Sequence, residues 1–392
     1  MPKITVNDTT LYYEDTGPPG EPIVFSHGLL WNTTLFAPQV EALKHRYRCI
    51  SYDHRGQGRS ADDAREVIDM DLLTDDVVAL IKALDLGPVH FCGLSMGGFV
   101  GMRLAARHPQ LVRSLILCET SAGPEPAENA PRYRRLNFVA RWLGPRVVIP
   151  AVMPILFGKT ALTDPKREWQ RREWKKQLNK NRRSVWRAVN GVILRQPVVD
   201  ELAHIEAPTL VIVGAEDVAT VTAKAQQIAG EIEYSKLVIL ANAGHSATVE
   251  EPAAVNDQIE RFLKDVKEDG GDWRGPRPPL ASGPEVDARL APYLDVLAPL
   301  QAEAVQCSPA DWTHGTLTVG CRSLYVTYKI RNEEQPGTAQ VSPALRQLCE
   351  ELFVRMAKGG DAWRHVVVTW RRQGDALAFE TAVRWPAKSA QA

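Results

Sequence analysis

The sequence predicts an α/β fold: a mostly parallel sheet with helices on both faces, interrupted by a helical insertion and followed by a small α+β domain. Three observations lead there. Short apolar runs alternate with amphipathic helical stretches through the first two-thirds of the chain. A middle section has helical spacing, many Trp, Arg and Lys residues, and no convincing strand. A Pro- and Gly-rich stretch then ends the alternation, and the order of elements changes beyond it.

In chain order, residues 4–14 read as an antiparallel hairpin at the sheet edge. Buried strands are expected at residues 23–26, 49–52, 89–94, 115–118, 210–213 and 237–240, each a short apolar run. Leu73, Val77, Leu80, Ile81 and Leu84 recur at helical spacing, as do Val255, Ile259, Phe262, Leu263 and Val266. Residues 1–122 and 197–267 form the core in this scheme, and residues 123–196 form the insertion. Trp174, Leu178, Val185, Trp186 and Val189 share one helical face there, and Trp142, Trp169, Trp174 and Trp186 are expected to pack it.

Residues 268–284 sustain neither helix nor strand and read as a linker. Residues 285–392 form a separate α+β domain: a helix over 285–304, strands at 316–321 and 324–330, and a helix capped by Ser342-Pro343 that runs to about Ala357. A closing hairpin pairs 363–370 with 376–385 around Gln373-Gly374-Asp375. Trp312, Trp363, Trp370 and Trp385 suggest a packed module, with His314 and His365 structural. Lacking an evident nucleophile or metal cluster, this domain is a candidate for protein contact or oligomerisation.

Composition narrows the function classes. The 392 residues carry 47 Lys+Arg against 47 Asp+Glu, so global binding of nucleic acid has no support. No basic-then-apolar leader opens the chain and no apolar run approaches the ~20 residues a bilayer requires, so no membrane partner is expected. Cys49, Cys92, Cys118, Cys307, Cys321 and Cys349 are scattered without paired metal spacing. A cytoplasmic protein with no metal and no cofactor is the expectation.

The chemistry-bearing signal is Val89-His-Phe-Cys-Gly-Leu-Ser95-Met-Gly-Gly-Phe-Val. An apolar strand runs into Gly93-Leu94-Ser95-Met96-Gly97 and on into a helical pattern, a sharp turn that exposes a serine hydroxyl. An N-capping serine in a glycine-rich turn is the plainer alternative. A catalytic serine needs a base, itself oriented by a third group. His245 follows the last strand on the Gly-adjacent loop Ala241-Asn-Ala-Gly-His245. After residues 210–213, Gly214-Ala-Glu216-Asp217 offers two carboxylates; Asp217 is the choice and Glu216 the alternative. The strand ending in His27-Gly28 leaves the N–H of Leu29 free to join that of Met96 as an oxyanion hole. His27 and Trp31 are placed at the substrate side of that loop, His27 chiefly as a brace.

His27-Gly28, Asp53-His-Arg-Gly-Gln-Gly-Arg-Ser60, Gly93-Leu-Ser-Met-Gly-Gly98, Gly214-Ala-Glu-Asp217 and Gly244-His245 together resemble the α/β-hydrolase superfamily. The similarity is nearest to the branch of 3-oxoadipate enol-lactonases, non-haem haloperoxidase-like esterases and related carboxylesterases, and spans residues 1 to about 267. It implies the α/β-hydrolase fold, a Ser95–Asp217–His245 triad, a cap formed by the insertion, and no catalytic role for residues 53–60. Haloalkane dehalogenases place Asp where this chain has Ser95, which argues against dehalogenation. Some enol-lactonase relatives carry a helical decarboxylase domain after the core, unlike the strands seen here.

The expected activity is hydrolysis of a small-molecule carboxylic ester or lactone, with an enol-lactonase-like reaction on a carboxylated substrate as one form. Residues 131–187 hold 16 Lys/Arg against 3 Asp/Glu, which either attracts an anionic substrate or decorates solvated helix faces. Acyl transfer or perhydrolysis, and a ligand-sensing role without turnover, are the alternatives.

Overall fold

The computed structural model describes residues 2–17, 20–268, 288–322, 325–332, 339, 341–359, 365–373 and 376–384. The chain divides into two compact units, Met1–Arg274 and Gly275–Ala392.

In the first unit, β1 (Lys3–Val6) and β2 (Thr9–Asp15) make an antiparallel hairpin turned at Asn7 and Asp8, both with positive φ. β3 (Pro22–Ser26), β4 (Arg48–Tyr52), β5 (Val89–Leu94), β6 (Val112–Cys118), β7 (Thr209–Gly214) and β8 (Ser235–Leu240) follow. The eight-stranded sheet has the order β1-β2-β4-β3-β5-β6-β7-β8 and is parallel from β4 to β8. The chain therefore reverses direction across the sheet between β3 and β5, where open α/β sheets place their sites beyond the strand C-termini.

The strands of the middle are buried on both faces, as continuous apolar runs require. β8 differs. Among the described residues it pairs only with β7, and it is half-exposed, with Ile239 at 46 %. The expected buried strand at 237–240 is thus an edge strand; its apolar run looks like that of β7, and a run by itself does not reveal a missing neighbour.

Helices α1 (Ala37–Leu43), α2 (Met70–Ala83) and α3 (Met96–Arg107) come first. The insertion holds α4 (Ala130–Leu143), α5 (Ile149–Leu156), α6 (Lys159–Thr163), α7 (Glu168–Leu178) and α8 (Trp186–Ile193). Then come α9 (Thr222–Glu231), α10 (Ala247–Glu250) and α11 (Pro252–Glu268). Alternate strand residues feed two cores: Val24, Phe91 and Leu115 meet α2, α3 and α9, whereas Phe25, Cys92 and Ile116 meet α1 and α11. The second core continues into the insertion, where Trp174 stacks on Phe157 at 4.4 Å between ring centres. Trp174 and Trp186 are buried as expected, but Trp142 and Trp169 are 61 % and 66 % exposed. They lie on the far sides of their helices, and tryptophan content alone did not reveal which face was turned inward.

In the second unit, β9 (His314–Arg322), β10 (Tyr325–Arg331), β11 (His365–Gln373) and β12 (Ala376–Arg384) form one antiparallel sheet of order β10-β9-β11-β12. The two strand pairs are joined by pairing of β11 with β9. α12 (Leu294–Gln306) and α13 (Pro343–Lys358) complete the unit. Ser342 caps α13 by accepting from the Leu345 N–H at 3.0 Å. Trp312 and Trp370 are buried among Leu297, Leu300, Leu352 and Val368. Residues 269–287, Trp363, Gly374, Asp375 and Trp385 lie outside the described residues.

Candidate active site

β5 enters α3 through Gly93-Leu94-Ser95-Met96-Gly97, and Ser95 sits at φ 52°, ψ −108°. That strained conformation turns the side chain out at the top of the sheet. Close approach enforces glycine on either side: a Cβ on Gly93 would lie 2.3 Å from Gly97 O, and one on Gly97 2.0 Å from Ser26 O. The turn is held by Ser95 N–H donating to Cys118 O at 2.9 Å and by Thr120 Oγ1 donating to Ser95 O at 2.8 Å.

His245 Nε2 lies 2.9 Å from Ser95 Oγ, and Nδ1 lies 2.8 Å from Asp217 Oδ2. An ionised carboxylate only accepts, so Nδ1 carries the proton and Nε2 is left to receive one from the serine. Burial pushes the Asp217 carboxyl up, but His245 and Thr220 outweigh it and hold it below the ordinary carboxylate value. Thr220 supplies a hydroxyl to Oδ2 at 2.7 Å and its N–H to Oδ1 at 2.9 Å, a role that nothing in the sequence singles out. Glu216 faces elsewhere, accepting from Thr160 N at 2.7 Å in the insertion.

Glu250, also unread from the sequence, is buried beside the histidine loop. Its carboxylate accepts from Ser246 N at 3.0 Å and Gly244 N at 3.1 Å, on either side of His245, and from Gly158 N in the insertion at 2.8 Å. Burial raises it to about 7 against the pull of these three N–H donors. Glu119 follows β6 at φ 42°, fully buried, and burial pushes its carboxyl well up with Cys118, Asp217 and Glu250 nearby.

Leu29 lines the cavity beside Ser95, and Met96 begins α3, where first-turn N–H groups lack helical acceptors. His27 is turned behind this loop and does not line the cavity, which corrects its placement as a substrate contact. Its Nε2 accepts from His54 N at 3.0 Å and its Nδ1 bonds Gly28 O at 2.8 Å, so both ring nitrogens are occupied in bracing. Trp31 does line the cavity, edge-on to Phe157 at 6.2 Å.

The cavity of about 140 Å³ above Ser95 has walls such as Leu136, Ala140, Val152 and Ile193 from the insertion and Leu94 and Phe99 from the core. Its charged side chains are Glu125 and Arg195, which pair with each other at 2.7 Å. None of the 16 Lys and Arg residues behind the expected anion attraction lines this cavity, and five of them, Arg146, Arg172, Lys175, Lys176 and Lys180, line a separate outer concavity. Among the described residues no cluster could hold a metal ion, and no helix is long and apolar enough to cross a membrane.

Known proteins share this architecture. A thermophilic esterase from Thermogutta terrifontis matches with TM-score 0.63 and 27 % identity over 68 % of this chain and 99 % of its own. The 3-oxoadipate enol-lactonase 2 of Acinetobacter baylyi is 28 % identical over 67 % of this chain and 96 % of its own length. RutD of Rhizobium rhizogenes, a carbamate hydrolase by name, is 27 % identical over 63 % of this chain and 94 % of its own. The sequence pattern of the α/β hydrolase family matches residues 23–258, which take in Ser95, Asp217 and His245. The chain belongs to the α/β hydrolase family.

Proposed function

We propose that this chain is a serine hydrolase that cleaves carboxylic esters or lactones with a mainly apolar body, through an acyl-enzyme on Ser95. The single observation behind this is the Ser95–His245–Asp217 relay, with contacts of 2.9 and 2.8 Å, at the floor of an apolar cavity. Ser95 Oγ attacks the carbonyl carbon while its proton passes to His245 Nε2, and Asp217 stays ionised. The N–H groups of Leu29 and Met96 receive the developing oxyanion, each worth about 3 kcal/mol of barrier. Collapse expels the alkoxide, which takes the proton from His245. Water then gives a proton to His245 and attacks the acyl carbon, and release of the acid restores Ser95.

A carboxylated lactone fits less well, because Arg195 is already paired with Glu125 and supplies no spare cation to the cavity. The carbamate assignment in the name of RutD offers a related carbonyl, which the same relay can attack. A cytoplasmic location suits the free thiols of Cys49, Cys92, Cys118, Cys307 and Cys349. In this proposal the chemistry resides in the first unit, and protein contact is left to the second.

The test is labelling of wild type and Ser95→Ala by a fluorescent fluorophosphonate, followed by turnover of p-nitrophenyl acetate through octanoate and of carboxylated lactones. Labelling lost in the variant and turnover favouring the longer acyl chains are the expected results. A folded wild type that neither labels nor turns over would put the ligand-sensing alternative first.

A further inference from the structure

Two surface features meet on the outer side of the insertion. α4 is apolar on opposite faces: Leu136 and Ala140 line the cavity, while Phe138 and Trp142 point outward, 65 % and 61 % exposed. Their rings lie 6.4 Å apart, and Leu143 and Val147, 64 % and 56 % exposed, continue the ridge. Single exposed apolar side chains are ordinary, but a run of four large ones is not.

Arg146, between Leu143 and Val147, opens the second feature: a basic concavity completed by Arg172, Lys175, Lys176 and Lys180. Arg172 pairs with Glu168, and Lys176 with Glu173 at 3.6 Å. Arg146, Lys175 and Lys180 meet no carboxylate within ion-pair distance among the described residues; Lys180 donates to Gln177 Oε1 at 2.7 Å and Arg146 to Asn179 O at 3.3 Å, both neutral acceptors. An unneutralised basic surface beside an aromatic and aliphatic ridge complements a negatively charged interface with an apolar layer beneath it. Nucleic acid would satisfy the cations but offers no apolar phase for Leu143 and Val147.

We propose that this outer face docks the protein peripherally on an anionic lipid surface. Phe138, Trp142, Leu143 and Val147 enter the headgroup–acyl boundary, and Arg146, Lys175 and Lys180 engage the phosphates. Such docking needs no spanning helix, so it is compatible with the absence of one among the described residues. It would bring an apolar ester from the lipid phase to the inner face of the same α4. That purpose rests on the proposed esterase function, whereas docking itself is measurable without any substrate.

The experiment is co-sedimentation of the full-length chain with vesicles of mixed phosphatidylglycerol and phosphatidylcholine, and with phosphatidylcholine alone, at low and high salt. The expected result is partition into the anionic vesicles that weakens with salt. It should fall on the order of 100-fold in the triple variant Arg146→Ala/Lys175→Ala/Lys180→Ala, at about 1 kcal/mol per cation. Phe138→Ser/Trp142→Ser should lose at least roughly tenfold through the smaller apolar area inserted. Both variants should retain hydrolysis of soluble p-nitrophenyl acetate, which reports that they are folded. No partition of wild type into anionic vesicles overturns the proposal, as does equal partition of wild type and both variants. So does lipid-free self-association that Phe138→Ser/Trp142→Ser abolishes, since a second copy would then be the occupant.

Discussion

The loops of the core and the insertion above them hold their polar groups in different ways. In the core, Asp53 accepts from Thr33 N and Arg59 N, both at 2.7 Å. Fully buried Arg55 reaches both oxygens of Asp76 at 2.6 and 2.8 Å, Asp63 at 2.8 Å and Asn7 O at 2.6 Å. Every oxygen and nitrogen named has a partner. The insertion is instead tied to the core by contacts spread along its edges: Glu216 on Thr160, Glu250 on Gly158, Arg167 on Glu251, Asn181 Nδ2 on Leu30 O at 2.7 Å, Arg182 on Ser60 O at 3.0 Å and Asn190 on Glu66 O at 3.1 Å. Between those ties its inner face is mainly apolar, with buried Asn137 bonded to Trp186 O at 3.0 Å and Asn190 Oδ1 at 2.9 Å. The contrast separates two tasks: a buried polar frame sets the reacting geometry, and a cover anchored along its edges shapes what enters.

The largest expected effect tests the frame. Ser95→Ala should reduce kcat by a factor on the order of 10⁶, and Asp217→Asn by about 10⁴ because the histidine loses its orienting acceptor. Turnover near wild type in either variant would remove the relay from the reaction. Next, Arg55→Ala leaves buried Asp76 without its cation and should cost about 3–5 kcal/mol in urea unfolding. A loss near 1 kcal/mol or less would mean that the buried network is not what stiffens the core.

A smaller effect sharpens the comparison where frame and cover meet. Glu250→Gln puts an amide N–H against backbone N–H groups flanking His245, so kcat should drop roughly tenfold to a hundredfold through misplacement of the base. Glu216→Gln loosens only the insertion and should act mainly on KM. Equal kcat losses in both would erase the distinction between the two carboxylates.

The smallest effect is one of pH. The folded-state value of Glu250, raised from 4.5 to about 7, exceeds the unfolded one. Its ionisation therefore opposes folding, with a penalty absent below about 4.5, growing as pH rises, and complete above about 7. Glu250→Gln cannot ionise, so its stability relative to wild type should improve between about pH 5 and pH 8 even as turnover suffers. A pH-independent gap in urea midpoints would show that the carboxyl titrates normally.

Much of this was legible before folding because it is local. Gly93, Ser95 and Gly97 announce a turn that other residues cannot make, and strand–loop order brings out Asp217 and His245. What was hidden depends on tertiary approach. Thr220 is an ordinary loop threonine until Asp217 folds over it, and Glu250 looks like any helical glutamate until three N–H groups converge on it. Nor do Trp142 and Trp169 differ in composition from Trp174 and Trp186; only helix packing decides which rings face water.

The meeting of Gly158 with Gly244 bears on how far the cover can be exchanged as a module. A Cβ at Gly244 would sit 2.1 Å from Gly158 N, and one at Gly158 would sit 2.8 Å from Gly244 N and 2.5 Å from Glu216 Oε2. The seam admits two bare backbones and nothing more. A chimera that grafts the cover of another hydrolase onto this sheet can replace the cavity walls freely. At this crossing it must bring a glycine, or the incoming side chain will push on the loop that holds the catalytic base; a second glycine is needed where a Cβ on Gly191 would lie 1.7 Å from Ile68 O.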